Sequence, residues 1–195
     1  MINKPDYKKI TQVLNYIAEK EGGQVNYMKA LKLLYLADRL HLRKYGRLIT
    51  DDKLVAMKMG TLGSQARDIV QGNINLPHNV YEYVEKKLTR GQGKFIIGSN
   101  YSGKESLSET DLECIDKVIS VLGNMPEFDL VELTHNLPEW KRHAFAIKKG
   151  EKRVVKLKPL DLFESTDDPV LSKIYSQTDE ELAMTREVFE ESLTT

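Results

Sequence analysis

The clearest pattern of apolar and polar positions lies in residues 29–46, whose sequence is KALKLLYLADRLHLRKYG. Apolar side chains cover most of the helical circumference in its first half, at Ala30, Leu31, Leu33, Leu34, Leu36 and Ala37. A helix that is apolar on nearly all sides must be buried on more than one side. Asp38, His41 and Tyr45 follow at i, i+3 and i+7, so they share one face. The pattern predicts a core helix with a polar strip, ending at Gly46.

Two shorter helices are predicted around this central one. Residues 6–21 repeat apolar positions at spacings of three and four, which predicts an amphipathic helix that ends at the Gly22-Gly23 pair. Asn26 is placed to cap the central helix, because its side-chain oxygen can accept a backbone amide of the first turn. A short helix is predicted over residues 65–71.

Four further helices are predicted in the second half of the chain. Ser108 with an acidic residue three positions later, Asp111, is a capping signal, and a regular apolar stripe follows it. Another helix begins near Asp129 and ends before Pro138, because proline disfavours helical conformation in the residue before it, and a second short helix follows around Trp140. The last predicted helix, over residues 179–193, is acidic.

Extended structure is predicted in short pieces. Residues 54–59 read as an extended segment or a short strand, and residues 95–97, flanked by glycines, suggest a hairpin. Residues 81–88 fit either a helix or a strand. The fold class predicted from these patterns is mainly α with a small antiparallel β element (α+β), as a compact helical domain with a charged C-terminal extension.

The division of the chain follows from its charge. Residues 148–158 carry six basic side chains and one acidic, whereas residues 161–195 carry ten acidic and two basic. We therefore predict a domain over residues 1–147 and a charged extension over residues 148–195, which packs on the domain or extends from it.

Overall composition excludes several classes. The 195 residues carry 29 basic and 29 acidic side chains, so broad neutralisation of phosphates is not expected, and nucleic acid is an unlikely partner. A single cysteine excludes an intramolecular disulfide and a cysteine-rich zinc site. The sequence shows no signal peptide and no segment of membrane-spanning length, so we expect a cytoplasmic protein without a membrane partner.

Motifs for catalysis or cofactors are not found in the sequence. Neither GxxxxGK[ST] nor GxGxxG occurs, and the four histidines lack HxxxH and HExxH spacing. Cys114 lies on or near an apolar helical stripe, where a thiol is usually inert. We expect no cofactor, no metal and no enzymatic activity.

Asp38 is the best candidate for a role beyond packing, because a carboxylate on so apolar a helix must reach solvent or meet a partner. In the structural interpretation it pairs with Arg43, Lys58, a nearby backbone amide, or Arg39 of another copy. In the functional one it forms a recognition pocket with His41, Tyr45 and Tyr35, which Lys58 and the Thr134-His135 corner could complete. The sequence leaves open whether two copies form a homodimer.

Trp140, the single tryptophan, fits a core anchor and an interface anchor equally well. The candidate residues for a polar cluster, structural or partner-binding, are Tyr35, Asp38, Arg39, His41, Tyr45, Lys58, His135 and Trp140.

Residues 32–60, KLLYLADRLHLRKYGRLITDDKLVAMKMG, resemble the signature of the Panacea domain, the SocA-like antitoxin family whose relatives also occur in phage and mobile-element proteins. The matching positions are Leu33, Leu34, Tyr35, Ala37, Asp38, Arg39, His41, Leu42, Tyr45, Gly46, Arg47, Ile49, Thr50, Ala56 and Gly60. Leu48 and Thr61 depart from the pattern, since proline is usual at both. A later segment with Thr134, His135 and Trp140 is also similar, so the resemblance covers roughly residues 5–145.

The resemblance implies a non-catalytic protein that neutralises a toxin encoded beside it. Neutralisation would occur by direct binding or, as in the SocA type, by delivery of the toxin to the ClpXP protease. Two other classes remain as alternatives: a DNA-binding regulator of a prophage or mobile-element operon that uses the basic run at residues 148–158, and a small hydrolase or ligand-binding enzyme that uses Asp38 and His41.

Overall fold

The structure, a computed structural model, describes residues 5–72, 76–98 and 103–194. The helices in these ranges are α1 (Tyr7–Lys20), α2 (Tyr27–Tyr45), α3 (Ser64–Gln71), α4 (His78–Lys87), α5 (Glu109–Leu122), α6 (Glu127–His135), α7 (Pro138–Lys141), α8 (Ala144–Lys148) and α9 (Asp179–Thr194). Two short 3-10 helices, Pro159–Phe163 and Leu171–Lys173, lie between α8 and α9.

The described strands form two small antiparallel sheets. Their bounds are β1 (Gln24–Asn26), β2 (Leu54–Met57), β3 (Gly60–Gly63), β4 (Leu88–Arg90), β5 (Phe95–Gly98) and β6 (Val154–Lys156). One sheet has the order β1-β5-β4 and the other the order β3-β2-β6. The predicted class, mainly helical with a small antiparallel β element, is confirmed.

Helix α2 forms the centre of the molecule. Every residue from Ala30 to Arg43 is buried, including the charged ones, and helices α1, α5, α6 and α9 and strand β3 all contact it. Its ends follow the predicted signals. The Asn26 side chain accepts the Met28 amide at 2.8 Å, and Gly46 takes the left-handed conformation, φ +68°, that glycine adopts at little cost.

Most of the other predicted elements are found close to their expected positions. Ser108 and Asp111 form the predicted capping box at the start of α5. The ambiguous segment 81–88 is helical to Lys87 and becomes strand at Leu88. The extended segment 54–59 is β2 and the turn into β3, and the sheet contains two strands, β3 and β6, that the sequence pattern did not indicate.

The charged extension contacts the helical part in several places. Strand β6 pairs with β2, with Val154 opposite Met57 and Lys156 opposite Val55. Helix α9 packs on α2 and buries Leu182 and Phe189. The division at residue 147 stays a prediction, and these contacts show only that the extension lies against the preceding residues.

Gly60 offers a direct test of the packing between the β2–β3 turn and α6. Its φ is +84°, and an added Cβ would lie 2.1 Å from the Thr134 hydroxyl oxygen. Gly22 has nearly the same φ, +87°, but no atom within 4 Å of such a Cβ. Gly22→Ala should therefore cost only the left-handed strain, about 1–2 kcal/mol.

Gly60→Ala should reduce the free energy of unfolding by a further ~1–3 kcal/mol, because the buried Thr134 must move. Urea denaturation of the two variants measures the difference. Equal losses would show that the close approach at Gly60 carries no cost.

Candidate functional site

Asp38 holds the turn that follows α2. Its carboxylate accepts the backbone amides of Ile49 at 2.7 Å and Thr50 at 3.0 Å, and the Thr50 hydroxyl at 2.6 Å. The residue is 1% exposed. A buried carboxylate with three donors is satisfied without a ligand. Among the partners considered for Asp38, the structure thus selects backbone amides, and Arg43 binds elsewhere.

Burial determines the protonation behaviour of this carboxylate. Removal from water raises the pKa of Asp38 to about 7, although the hydrogen bonds from Thr50 and Ile49 act in the opposite direction. Asp52, which accepts the amides of Gln65 and Ala66 at the start of α3, is also buried, and its pKa is raised to about 6.

His41 joins the same turn to α5. One ring nitrogen, Nδ1, lies 2.9 Å from the Arg47 carbonyl oxygen, and Nε2 lies 3.2 Å from a carboxylate oxygen of Asp111. Lys9 and Arg47 also bind Asp111, at 2.8 and 3.0 Å. Burial opposes ionisation, but the hydrogen bonds from His41 and Lys9 hold the pKa of Asp111 well below its usual range.

Tyr45 completes the polar strip at its outer end. Its ring lies beside His41, with 4.8 Å between the ring centroids, and its hydroxyl donates to Glu113 of α5. Asp38, His41 and Tyr45 therefore bind the turn and α5, as side chains on one helical face would.

Tyr35 and Arg39 belong to a different buried cluster, which is centred on Glu139 of α7. The Tyr35 hydroxyl and the Arg39 Nε both donate to Glu139 Oε1 at 2.9 Å. The side chains of Arg39 and Glu139 are fully buried, so this ion pair is desolvated. Nothing in the sequence pattern singled out Glu139, because it lies in a short helix 100 residues from Arg39.

The same face of α2 binds the extension. Arg39 Nη2 donates to the Glu164 carbonyl at 2.6 Å, and its guanidinium lies 4.4 Å from the centroid of the Tyr175 ring. Arg43 Nη1 donates to the carbonyls of residues 162, 163 and 164 at 3.1, 2.5 and 3.0 Å. Burial, together with the charge of Arg39, lowers the pKa of Arg43 to about 10.

Lys58, His135 and Trp140 meet at the β2–β3 turn rather than at Asp38. Trp140 Nε1 donates to the Met57 carbonyl at 2.9 Å, and His135 Nε2 lies 3.2 Å from the Lys58 carbonyl oxygen. The His135 and Trp140 rings stack with 3.9 Å between centroids. Trp140 is 3% exposed and is thus a core anchor.

A buried lysine that sequence reasoning missed lies beside this turn. Lys32 of α2 is fully buried, and its ammonium donates to the Thr61 carbonyl at 2.7 Å. Burial lowers the pKa of Lys32 to about 7. Thr61, one of the two positions that depart from the resemblance, is itself fully buried.

A groove of about 370 Å³ lies beside the β2–β3 turn. Its floor contains Met28, Leu31, Met57, Met59 and Ile147, and its charged lining residues are Lys58, Arg67, Lys152 and Arg153. We call it the methionine groove.

Other chemistry finds little support in the described ranges. They contain no group of three or more histidine, cysteine, aspartate or glutamate side chains placed to hold a metal ion. Burial raises the pKa of the Cys114 thiol to about 12. In the same ranges, no helix combines the length and the apolar character needed to cross a membrane.

Comparison with known families decides the classification. The model of the family described as "Antitoxin SocA-like, Panacea domain" matches residues 31–141, more than half of the chain. The chain belongs to the Panacea-domain family. No curated protein and no solved structure matches it.

The Panacea-domain match runs from the first buried turn of α2 to the last residue of α7. It contains Asp38 with its turn, and both members of the Arg39–Glu139 pair. Lys152 and Arg153 of the methionine groove lie outside it, as does Tyr175.

The eight candidate residues thus lie in three clusters instead of one pocket. Asp38, His41 and Tyr45 bind the turn and α5; Tyr35 and Arg39 bind Glu139; His135, Trp140 and the Lys58 carbonyl meet at the β2–β3 turn. Lys58 and His135, the groups available to complete a pocket around Asp38, contact each other at the β2–β3 turn.

The titration of Asp38 predicts a pH dependence. Its pKa of about 7 in the folded state exceeds the ordinary 3.8, so its contribution to stability is full below about pH 4 and is lost as the pH rises through 7. Asp38→Asn keeps an amide oxygen for the backbone amides but does not titrate. The stability advantage of the wild type over Asp38→Asn should therefore shrink between pH 4 and 7, by up to ~1.4 kcal/mol per pH unit.

Urea denaturation across this range provides the measurement, and Asp52 titrates in both proteins, so its contribution largely cancels. At pH 7, Asp38→Ala should lose ~3 kcal/mol or more, since buried donors are left without an acceptor. His78→Ala, on an exposed side chain, should lose no more than ~0.5 kcal/mol. Parallel pH profiles for the wild type and Asp38→Asn would contradict the raised pKa.

Proposed function

We propose that this Panacea-domain protein is the antitoxin of a toxin–antitoxin pair and that it neutralises its toxin by direct protein–protein binding. The observation that carries the proposal is the family match over residues 31–141. The partner is then the toxin encoded beside it, and the pair acts in the cytoplasm.

The proposal gives the protein no catalytic role. This part of the proposal is supported by the surroundings of three polar side chains. Asp38, His41 and Glu139 are buried and hydrogen bonded to other parts of the same chain. Side chains that are bound in this way stabilise the fold. Recognition is then left to the surface, where the methionine groove offers apolar area.

Two modes of neutralisation follow from membership of a SocA-like family. The antitoxin blocks its toxin in a stable complex, or it acts as an adaptor that delivers the toxin to the ClpXP protease. We favour the stable complex as the primary mode because it requires only one binding surface.

Co-expression with the adjacent reading frame tests the proposal. Expression of the neighbour alone should stop growth, and co-expression of this protein should restore it. A harmless neighbour, or a toxic one that still kills in the presence of this protein, would contradict the proposal.

The toxin's half-life after a translation block distinguishes the two modes. A stable complex should leave the half-life unchanged or longer, with toxin and antitoxin eluting together in gel filtration. A half-life that falls in the presence of the antitoxin, and is restored in cells without the ClpP peptidase, would replace sequestration by proteolytic delivery.

A further inference from the structure

The methionine groove is built by parts of the chain that lie far apart in sequence. The start of α2 supplies Met28 and Leu31, the β2–β3 turn supplies Met57 and Met59, and α8 supplies Ile147. Leu31 and Ile147 of the floor are buried and belong to the hydrophobic core, so the back of the groove is continuous with the core.

The exposed part of this surface is apolar. Met59 is 36% exposed, and Val154 of the edge strand β6 is 48% exposed. Val154 lies directly opposite Met57 in the β2–β6 register, and opposite residues project to the same face of a sheet. The apolar floor therefore continues past the groove onto β6.

The rim carries charge of one sign. The four side chains of the lining that are charged at neutral pH are all cationic, and none of the described lining residues is acidic. Arg67 is engaged, since it lies 3.5 Å from Asp68 and 3.2 Å from the Met57 sulfur. Lys152 and Arg153 are exposed, and they stand on the segment that leads into β6.

This combination identifies the chemistry of an occupant. An apolar floor accepts apolar side chains, and a cationic rim favours carboxylates beside them. Methionine is unbranched and polarisable, so three methionines can adapt to anchors of different shape. A single-stranded nucleic acid would bind by stacking its bases on aromatic rings, and Tyr27 is the one aromatic residue among the described residues of the lining.

The acidic helix of the chain itself, α9, does not occupy the methionine groove. Helix α9 packs on α2 through Leu182 and Phe189, at the face that carries Arg43. A different acidic segment must therefore supply the occupant.

We propose that the methionine groove is the surface that binds the toxin, and that it takes an acidic segment of the toxin whose apolar anchors rest on Met28, Met57 and Met59 while its carboxylates face Lys152 and Arg153. This inference rests on the proposed antitoxin function. The family match includes Leu31, Met57 and Met59 of the floor, whereas Met28, Ile147 and the two exposed rim residues lie outside it.

A charge-reversal variant tests the rim. Lys152→Glu/Arg153→Glu reverses two exposed charges at the groove, and Lys117→Glu/Lys173→Glu makes the same change in net charge at exposed positions on α5 and the second 3-10 helix. The probe is the purified product of the adjacent reading frame, titrated by calorimetry at low and at moderate salt. Reversal at the groove should raise Kd at least ~tenfold at low salt, with a smaller effect at higher salt.

The methionine methyl groups provide a second, direct readout. The chain contains six methionines, and three of them line the groove. In a protein labelled with carbon-13 at the methionine methyls, addition of the same probe should shift the NMR signals of Met28, Met57 and Met59. Met184, on α9 and 63% exposed, should keep its position and serves as the internal control.

The outcomes separate this inference from the proposed function. Loss of binding in the groove variant, with the control variant and the folded state intact by circular dichroism, supports the groove as the toxin site. Tight binding in both variants with unshifted groove methionines overturns the groove while the antitoxin function stands. Failure of the wild type to bind or to neutralise the neighbour contradicts the proposed function and removes this inference with it.

Discussion

Helix α2 can be buried on every side only because each charge it carries meets a partner, and the ion pair between Arg39 and Glu139 is the most demanding of these. Both side chains are completely excluded from water, and an isolated charge there would cost several kcal/mol. Tyr35 supplies a further donor to Glu139, and the Glu164 carbonyl accepts from Arg39. The Arg39 guanidinium of α2 thus binds both α7 and the extension.

The same constraint explains where function is to be found. The polar side chains that would suggest a catalytic or ligand pocket already bind other parts of the chain. Asp38 accepts backbone amides of the following turn, His41 contacts Asp111, and Arg43 donates to the carbonyls of residues 162–164. The methionine groove, which is open to solvent, has an apolar floor and a cationic rim instead. An apolar floor with a charged rim suits the binding of another protein, which is the role proposed above from the family match.

Local signals in the sequence predicted the parts of the fold that depend on neighbouring residues. Asn26, Gly46 and the Ser108 capping box act within one helical turn, and the Asp38 contacts span only about a dozen positions. The pairing of Arg39 with Glu139 spans 100 positions in the sequence, and a pattern of apolar and polar residues cannot indicate a contact between positions so far apart. Strand β6 was hidden inside a run of basic residues, and the groove requires separate segments that only the folded chain brings together.

A double-mutant cycle on the central ion pair tests most directly whether buried charge pairing on α2 holds the structure together. Arg39→Met and Glu139→Met should each lower the free energy of unfolding by ~3 kcal/mol or more, because each leaves one buried charge without its counterpart. The double variant should lose much less than the sum, with a coupling energy of at least ~1.5 kcal/mol in chemical denaturation. Losses that add within ~0.5 kcal/mol would contradict the central role of this pair.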